Sequence, residues 1–393
     1  MGRLAAALSM VALWLSAFGA QPVPGWPAVE QLFHQQVKAA GIVGSGLVLV
    51  RNGMVSARAV DGYQDLDAQR LVDADTIFHW ASITKTFTGI AIMQLRDRGR
   101  LSLNDPIVKH VPEFRRVHNP FGDISQVTIR HMMTHSSGLR ASTWPWGGDH
   151  PWQPFEPTEW AQLTAILPYT QLEFAPGTRY SYSNPGVIFL GRIIELLSGD
   201  DYEGYIGKNI LMPLGMHASF FDRAPYHLLP HRSHSYLRTD AGLREARFDF
   251  DTGITVSNGG LNAPLADMAS YLAFLMGEPE TARYEAVLTR SSLEEMWRPQ
   301  IRALDGEGAT GADVQSGLSF FLERHGGLDF VAHSGDQNGF ISHIFLHRLS
   351  RTAYAVSFNT NVTASTTTSS RPTTRQVDAA VRDAIIREVM ARP

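Results

Sequence analysis

Cysteine is absent from the chain. That excludes a disulfide framework, a thiolate nucleophile, a Cys-based zinc site and a cysteine-borne lipid anchor. Lysine is scarce, with four residues against thirty arginines, so arginine carries most of the positive charge and each lysine is conspicuous. Charge is thin altogether, at 18% of residues against 44% hydrophobic, with a formal net charge of -4. This is the composition of an ordinary globular protein, with no electrostatic reason to expect nucleic acid as a partner. The Gly-x-Ser-x-Gly turn of α/β-hydrolases and the His-Glu-x-x-His zinc motif are also missing.

Long apolar runs are confined to the first residues, where Arg3 precedes a mainly apolar stretch from Leu4 to Phe18 and then Gly19 and Ala20. This is the pattern of a secretory signal peptide over residues 1–20, cleaved near Ala20, and it predicts an exported protein, periplasmic or secreted. A retained anchor fits less well, because the stretch falls short of the roughly 20 residues that span a bilayer. No stable membrane anchor is expected after cleavage, and oligomeric state is not legible.

Residues 21–393 read as a single domain. Pro27 to Ala40 has Val29, Leu32, Phe33 and Val37 at helical spacing. Strand-like runs at Gly46–Arg51 and Met54–Val60 are joined by Asn52-Gly53, a dipeptide suited to a tight hairpin. A second set runs at Gly317–Glu323, Leu328–His333, Phe340–Leu346 and Thr352–Phe358, with Gly326-Gly327 as a turn and Pro299–Gly311 as a loop leading in. Between them, from Ser82 to Trp297, helices and loops are expected; one helix has Asn184 as its cap, Pro185 at its first position and Gly199 past its end. Thr363 to Thr374 reads as a loop of no function before a last helix from Gln376 to Met390. The simplest assembly is an α+β fold: one antiparallel sheet from the two chain ends (residues 41–63 and 315–360), flanked by helices, with a mainly helical insertion over residues 82–297.

Three segments carry chemistry. Ser82 and Lys85 stand three apart ahead of a helical pattern, so hydroxyl and amine share a face. Serine needs a base to become a nucleophile, and lysine can serve or tune one where arginine cannot. The plain alternative is a helix-start serine and a solvated lysine. Tyr182-Ser183-Asn184 offers a phenol as general base and an amide to orient the lysine and acyl group, or else a core tyrosine and a helix cap. His333-Ser334-Gly335-Asp336 ends a predicted strand; a glycine there lets a substrate lie along the strand, whose N–H completes an oxyanion hole with that of Ser82, or else it is a plain turn.

In this order and spacing the three segments resemble the signature motifs of the class C β-lactamase-like serine hydrolases, which include D,D-carboxypeptidases, D-aminopeptidases and family VIII esterases. Thr134 to Leu139, Pro176-Gly177-Thr178, Asn258 to Leu261 and Asp267-Met268-Ala269 are also similar to that family. The resemblance covers about residues 27 to 360. It implies a β-lactamase and penicillin-binding-protein fold and a serine hydrolase acting on a small ester, D-amino-acid peptide or β-lactam. Ser82 would be acylated, Lys85 and Tyr182 would handle its proton, and Asn184 would position lysine and substrate. His333 stands where the β-lactamases usually carry lysine, which points away from efficient β-lactam turnover and toward a small ester or D-amino-acid peptide. True β-lactamase activity and a non-catalytic binding module on the same fold are the alternatives.

Gly335 and Asp336 are expected at the substrate, and Trp144 and Trp146, in the Trp- and Pro-rich segment Trp144–Pro157, either line the pocket or form a packed lid. If Asp336 faces the pocket it repels a substrate carboxylate, by about 4 kcal/mol at 4 Å and an effective dielectric of 20; if it points away it caps the turn before Asn338-Gly339. No cofactor or metal is expected: His231 and His234 lie in a polar loop, and His343 and His347 sit about 13 Å apart along a strand, at roughly 3.3 Å per residue.

Overall fold

The structure, a computed structural model, describes residues 23–143, 157–246, 252–303, 313–364 and 371–390. Strand β1 (Gly44–Arg51) turns into β2 (Met54–Asp65) through Asn52 and Gly53, at φ 49° and 75°. Both residues are left-handed, which is why an Asn-Gly pair occupies this hairpin. A short β3 (Arg70–Leu71) follows on the outside of β2.

From the other end of the chain come β9 (Ile301–Arg302), β10 (Val314–Ser316), β11 (Phe321–His325), β12 (Leu328–Gln337), β13 (Phe340–His347) and β14 (Thr352–Phe358). The nine strands run in the order β3-β2-β1-β14-β13-β12-β11-β10-β9, and the two ends join where β1 pairs antiparallel with β14, Leu47 opposite Val356. Alternate residues face opposite ways. Leu47, Leu49, Phe345, Tyr354 and Val356 pack under the helices Trp26–Ala40 and Thr374–Ile385. Val48, Val50, Ile344, Leu346, Ala353 and Ala355 face the helical region.

In that region the helix Thr84–Asp97 is buried on every side through Leu95. Against it lie the helix Asn184–Ser198 and the turn Val256–Gly259. Close approach uses small residues: a side chain on Gly191 would begin 2.5 Å from Ser257, and one on Gly89 2.6 Å from Ser319. No helix among the described residues is long and apolar enough to cross a membrane.

Several expectations are corrected. The helix at Asn184 is capped one residue earlier, by Ser183, whose Oγ accepts the Gly186 N–H at 3.2 Å. Asn184 therefore takes the first helical position and its amide is released from capping; Gly199 ends the helix at φ 81° as expected. Residues 317–320 are not strand: Leu318 N–H bonds to the Met296 carbonyl at 2.8 Å and Ser319 is left-handed at φ 61°, so the chain bends before β11. The Pro299–Gly311 loop contains β9. The inserted region also holds strands two to four residues long, too short to show a period: β8 (Leu261–Pro264) lies between β4 (Ile77–His79) and β5 (Phe220–Phe221), and β6 (Tyr236–Thr239) lies between β15 (Thr360–Val362) and β7 (Gly242–Glu245).

Candidate active site

The turn bearing Ser82 is pinned from several sides. Trp80, fully buried, donates its indole N–H to Ala263 O and its backbone N–H to Leu261 O, each at 2.8 Å, while its own carbonyl accepts the Ser342 hydroxyl at 3.1 Å. Thr84 Oγ1 donates to Ala81 O at 2.6 Å and accepts the Leu261 N–H at 3.0 Å. Ala81 sits at φ 48°, a left-handed conformation that costs a non-glycine residue about 1–2 kcal/mol and persists only when its surroundings impose it. The result is a short 3-10 turn, Ala81–Ile83, that presents Ser82 at the foot of the buried helix.

One helical turn on, Lys85 is 1% exposed, and its Nζ donates to Ser82 Oγ at 2.9 Å and to the Asn258 carbonyl at 2.7 Å. The same nitrogen stands 5.0 Å from the centre of the Tyr182 ring. Ser82, Lys85 and Tyr182, a hundred residues apart in sequence, thus meet. Asn184 lines the same pocket as Ser82 and Tyr182, its Oδ1 buried without a hydrogen-bond partner among the described residues.

His333, on β12, is also buried. Its Nδ1 lies 2.7 Å from the Ser334 carbonyl, which can only accept, so Nδ1 carries the proton and Nε2 is a bare, buried acceptor with no partner among the described residues. Burial first, and then the charge of Lys85, push its pKa down to about 3. The ring is therefore neutral. Because β11 begins at Phe321, opposite Ala332, residues 333–337 pair with no strand on that side among the described residues, which leaves an edge that a ligand can approach. Gly335 is required by the protein itself: a Cβ there would fall 2.3 Å from Trp80 O and 2.4 Å from Ser342 Oγ. The glycine thus keeps the strand against the Ser82 turn.

Ser82, Tyr182, Asn184, His333 and Asp336 line an open pocket, together with Phe321, Ser334 and Arg375. Asp336 lines the pocket, but not as a lone charge. Its Oδ2 accepts from Arg375 Nη2 at 2.5 Å, and its Oδ1 lies 3.4 Å from Asn361 Nδ2. The guanidinium beside it offsets the charge from which a repulsion of substrate carboxylates was expected. Trp144 and Trp146 lie outside the described residues.

Three participants are not legible as such in the sequence. Arg375 opens the last helix, next to a stretch read as functionless, and nothing near it in sequence announces a partner 39 residues away. Asn258 and His135 fall in segments flagged by the family resemblance, which gave neither the carbonyl of Asn258 as acceptor for Lys85 nor the position of His135 under Tyr182, with ring centres 4.4 Å apart.

His343 and His347 are held by Asp378 and Ser350, each at 2.7 Å, and His234 by Glu245 at 2.9 Å. No cluster of three or more metal-ligating side chains occurs among the described residues.

Comparison with known proteins agrees with this geometry. Protein flp of Staphylococcus aureus (strain N315) is 31% identical over 193 residues, 49% of this chain and 38% of that protein. Esterase EstB of Burkholderia gladioli is 29% identical over 214 residues, 51% of this chain and 54% of that protein. The chain thus spans about half or less of the curated relatives it matches. The octameric penicillin-binding protein homologue from Pyrococcus abyssi superposes with a TM-score of 0.74 at 26% identity, over 93% of this chain and 79% of that one. The profile of the Beta-lactamase family matches residues 29–379. With most of the chain matched, and with the fold and the three motifs in place, the chain belongs to the β-lactamase family.

Proposed function

We propose that the protein is a serine hydrolase that cleaves a small ester or a D-amino-acid peptide or amide through an acyl-enzyme on Ser82, with preference for substrates that carry no charge beside the scissile bond. The observation that carries this reading is the buried contact of Lys85 Nζ with Ser82 Oγ at 2.9 Å, beside the Tyr182 ring. In acylation, Ser82 Oγ bonds to the substrate carbonyl carbon as its proton passes to the deprotonated member of the Lys85–Tyr182 pair. The resulting oxyanion is met by the Ser82 N–H and an N–H of the open β12 edge. Collapse breaks the bond to the alcohol or amine, which leaves with the proton. Water then attacks the acyl carbon by the reverse path and restores Ser82. The Asn184 amide orients Lys85 and the acyl group, and the bare Nε2 of His333 accepts a hydrogen bond from the substrate or the incoming water.

Neutral substrates are favoured because Asp336 and Arg375 satisfy each other at the mouth. A substrate carboxylate has to displace Asp336 from Arg375 to gain a partner, and an ammonium the reverse. The same reading makes the protein an exported enzyme: residues 1–20 are its signal peptide, and N-terminal sequencing of the exported form should begin near Gln21. Burst release of p-nitrophenol from a p-nitrophenyl ester tests turnover; a binding module would give no burst and no acyl adduct.

A further inference from the structure

His135 is 3% exposed and occupies a left-handed position, φ 55°, in the turn that follows the helix Ile129–Met133. It holds the Tyr182 segment at both ends. Its carbonyl accepts the Ser181 N–H at 2.8 Å, and its ring Nδ1 lies 3.2 Å from the Ser183 nitrogen. The residue between these two donors is Tyr182, whose ring lies over the imidazole, centres 4.4 Å apart and planes 30° from parallel. Tyr180 meets the same imidazole edge-on at 6.0 Å, and Phe321 stacks beyond it at 6.5 Å. Three consecutive residues are therefore located by one side chain and its own carbonyl.

The contact fixes the chemistry of the ring. A nitrogen that accepts from a backbone N–H carries no proton, so the neutral ring is the Nε2–H tautomer. An imidazolium would set an Nδ1–H against the Ser183 N–H and break the upper hold on Tyr182. The ionisable groups around the ring are Lys85 from the buried helix, His333 from β12, and Tyr180 and Tyr182 from the segment it holds. Burial first, then Lys85 and His333, keep the ring pKa well below its ordinary value.

We infer that His135 is a positioning residue for the hydrolase: as a neutral acceptor under Tyr182, it sets where the phenol stands relative to Lys85 and Ser82. The inference rests on the hydrolase reading, in which Tyr182 moves the serine proton. Its energetic content lies in the Nδ1 acceptor more than in ring area, because the aromatic neighbours Tyr180 and Phe321 remain when the nitrogen is lost.

The test compares His135→Phe, which keeps a ring and loses the acceptor, with His135→Asn, whose amide oxygen can stand near the place of Nδ1 and whose backbone tolerates left-handed φ. Hydrolysis of a p-nitrophenyl ester is measured across pH, with Ser82→Ala and Tyr182→Phe alongside and thermal unfolding as the control of fold. His135→Phe should lower kcat at least about tenfold with KM within about twofold, and shift the acid limb of the kcat/KM profile by more than about half a unit. His135→Asn should restore both to within about threefold and to the wild-type limb. A residue that merely packs would change the melting temperature and leave the limb in place. Wild-type kcat in His135→Phe, or equal losses in Phe and Asn, overturns the inference. If His135→Phe does not fold, His135→Ala replaces it, with the same contrast to Asn expected. Full turnover in Ser82→Ala overturns the hydrolase reading itself and the inference with it, full turnover in Tyr182→Phe removes the role of the tyrosine and overturns the inference alone, and loss in both with no effect at His135 likewise overturns only the inference.

Discussion

Asp336 and Arg375, on strand β12 and the C-terminal helix, meet at 2.5 Å across the mouth of the pocket that contains Ser82. Both are partly exposed, at 36% and 46% of their side-chain surface, so the pair adds little to stability. In the proposed function its effect falls on substrates, and the two residues should have opposite influence. Asp336→Gly frees the guanidinium and should raise kcat/KM for a cephalosporin or another carboxylated substrate, by about tenfold or more, with a neutral ester changed by less than about threefold. Arg375→Gln leaves the carboxylate and should lower the carboxylated substrate selectively. An equal change on both substrates in either variant would falsify this role.

In the proposed mechanism Lys85 and Tyr182 act on one proton, and their replacement should then not be additive. Lys85→Ala and Tyr182→Phe should each reduce kcat by on the order of 10² or more, and the double variant should be little worse than the poorer single one. Near-normal kcat in Tyr182→Phe would make the tyrosine a core residue only.

Gly335 should tolerate no side chain. A methyl group there meets the Trp80 carbonyl at 2.3 Å, which is backbone and held on both sides of its residue. Gly335→Ala should lose about 1–3 kcal/mol in urea unfolding, the usual cost of overpacking, and slow the labelling of Ser82 by a fluorophosphonate as its turn is displaced. Wild-type values in both measurements would contradict the close packing seen here.

Stability should depend on pH through buried neutral histidines. Burial holds His79 at about 4 and His333 at about 3, against 6.5 when unfolded. Below 6.5 the unfolded chain binds protons that the folded one refuses, so stability is complete above pH 6.5 and declines as the pH falls toward 4, by about 1.4 kcal/mol per unit for each such group. Urea midpoints at pH 7, 5.5 and 4.5 should fall in that order, and His79→Gln should flatten the slope. A midpoint that is level or rises toward pH 4.5 would contradict the assignment.

What the sequence made legible follows from where the determinants lie. The hairpin at Asn52-Gly53 was readable because two adjacent left-handed residues have few chemical solutions. The Ser82–Lys85 contact was readable because both residues belong to one helical turn. The sheet joining both chain ends followed from the two sets of apolar strand runs. Where a neighbour distant in sequence decides the outcome, local pattern fails. Residues 317–320 look extended, yet the Met296 carbonyl draws them into a bend. Asn184 and Ser183 are both good caps, and only the start of the helix distinguishes them. Asp336 looks like a lone charge until Arg375 is brought to it by the packing of the last helix.

The central claim is that Ser82 becomes acylated. Intact-protein mass spectrometry after mixing with a fluorophosphonate, and separately within the burst phase of a p-nitrophenyl ester, measures this directly. One adduct per chain, mapped to the peptide containing Ser82 and absent from Ser82→Ala while that variant keeps its unfolding transition, is the predicted result. An adduct that persists in Ser82→Ala, or burst turnover with no covalent species at Ser82, would contradict the account.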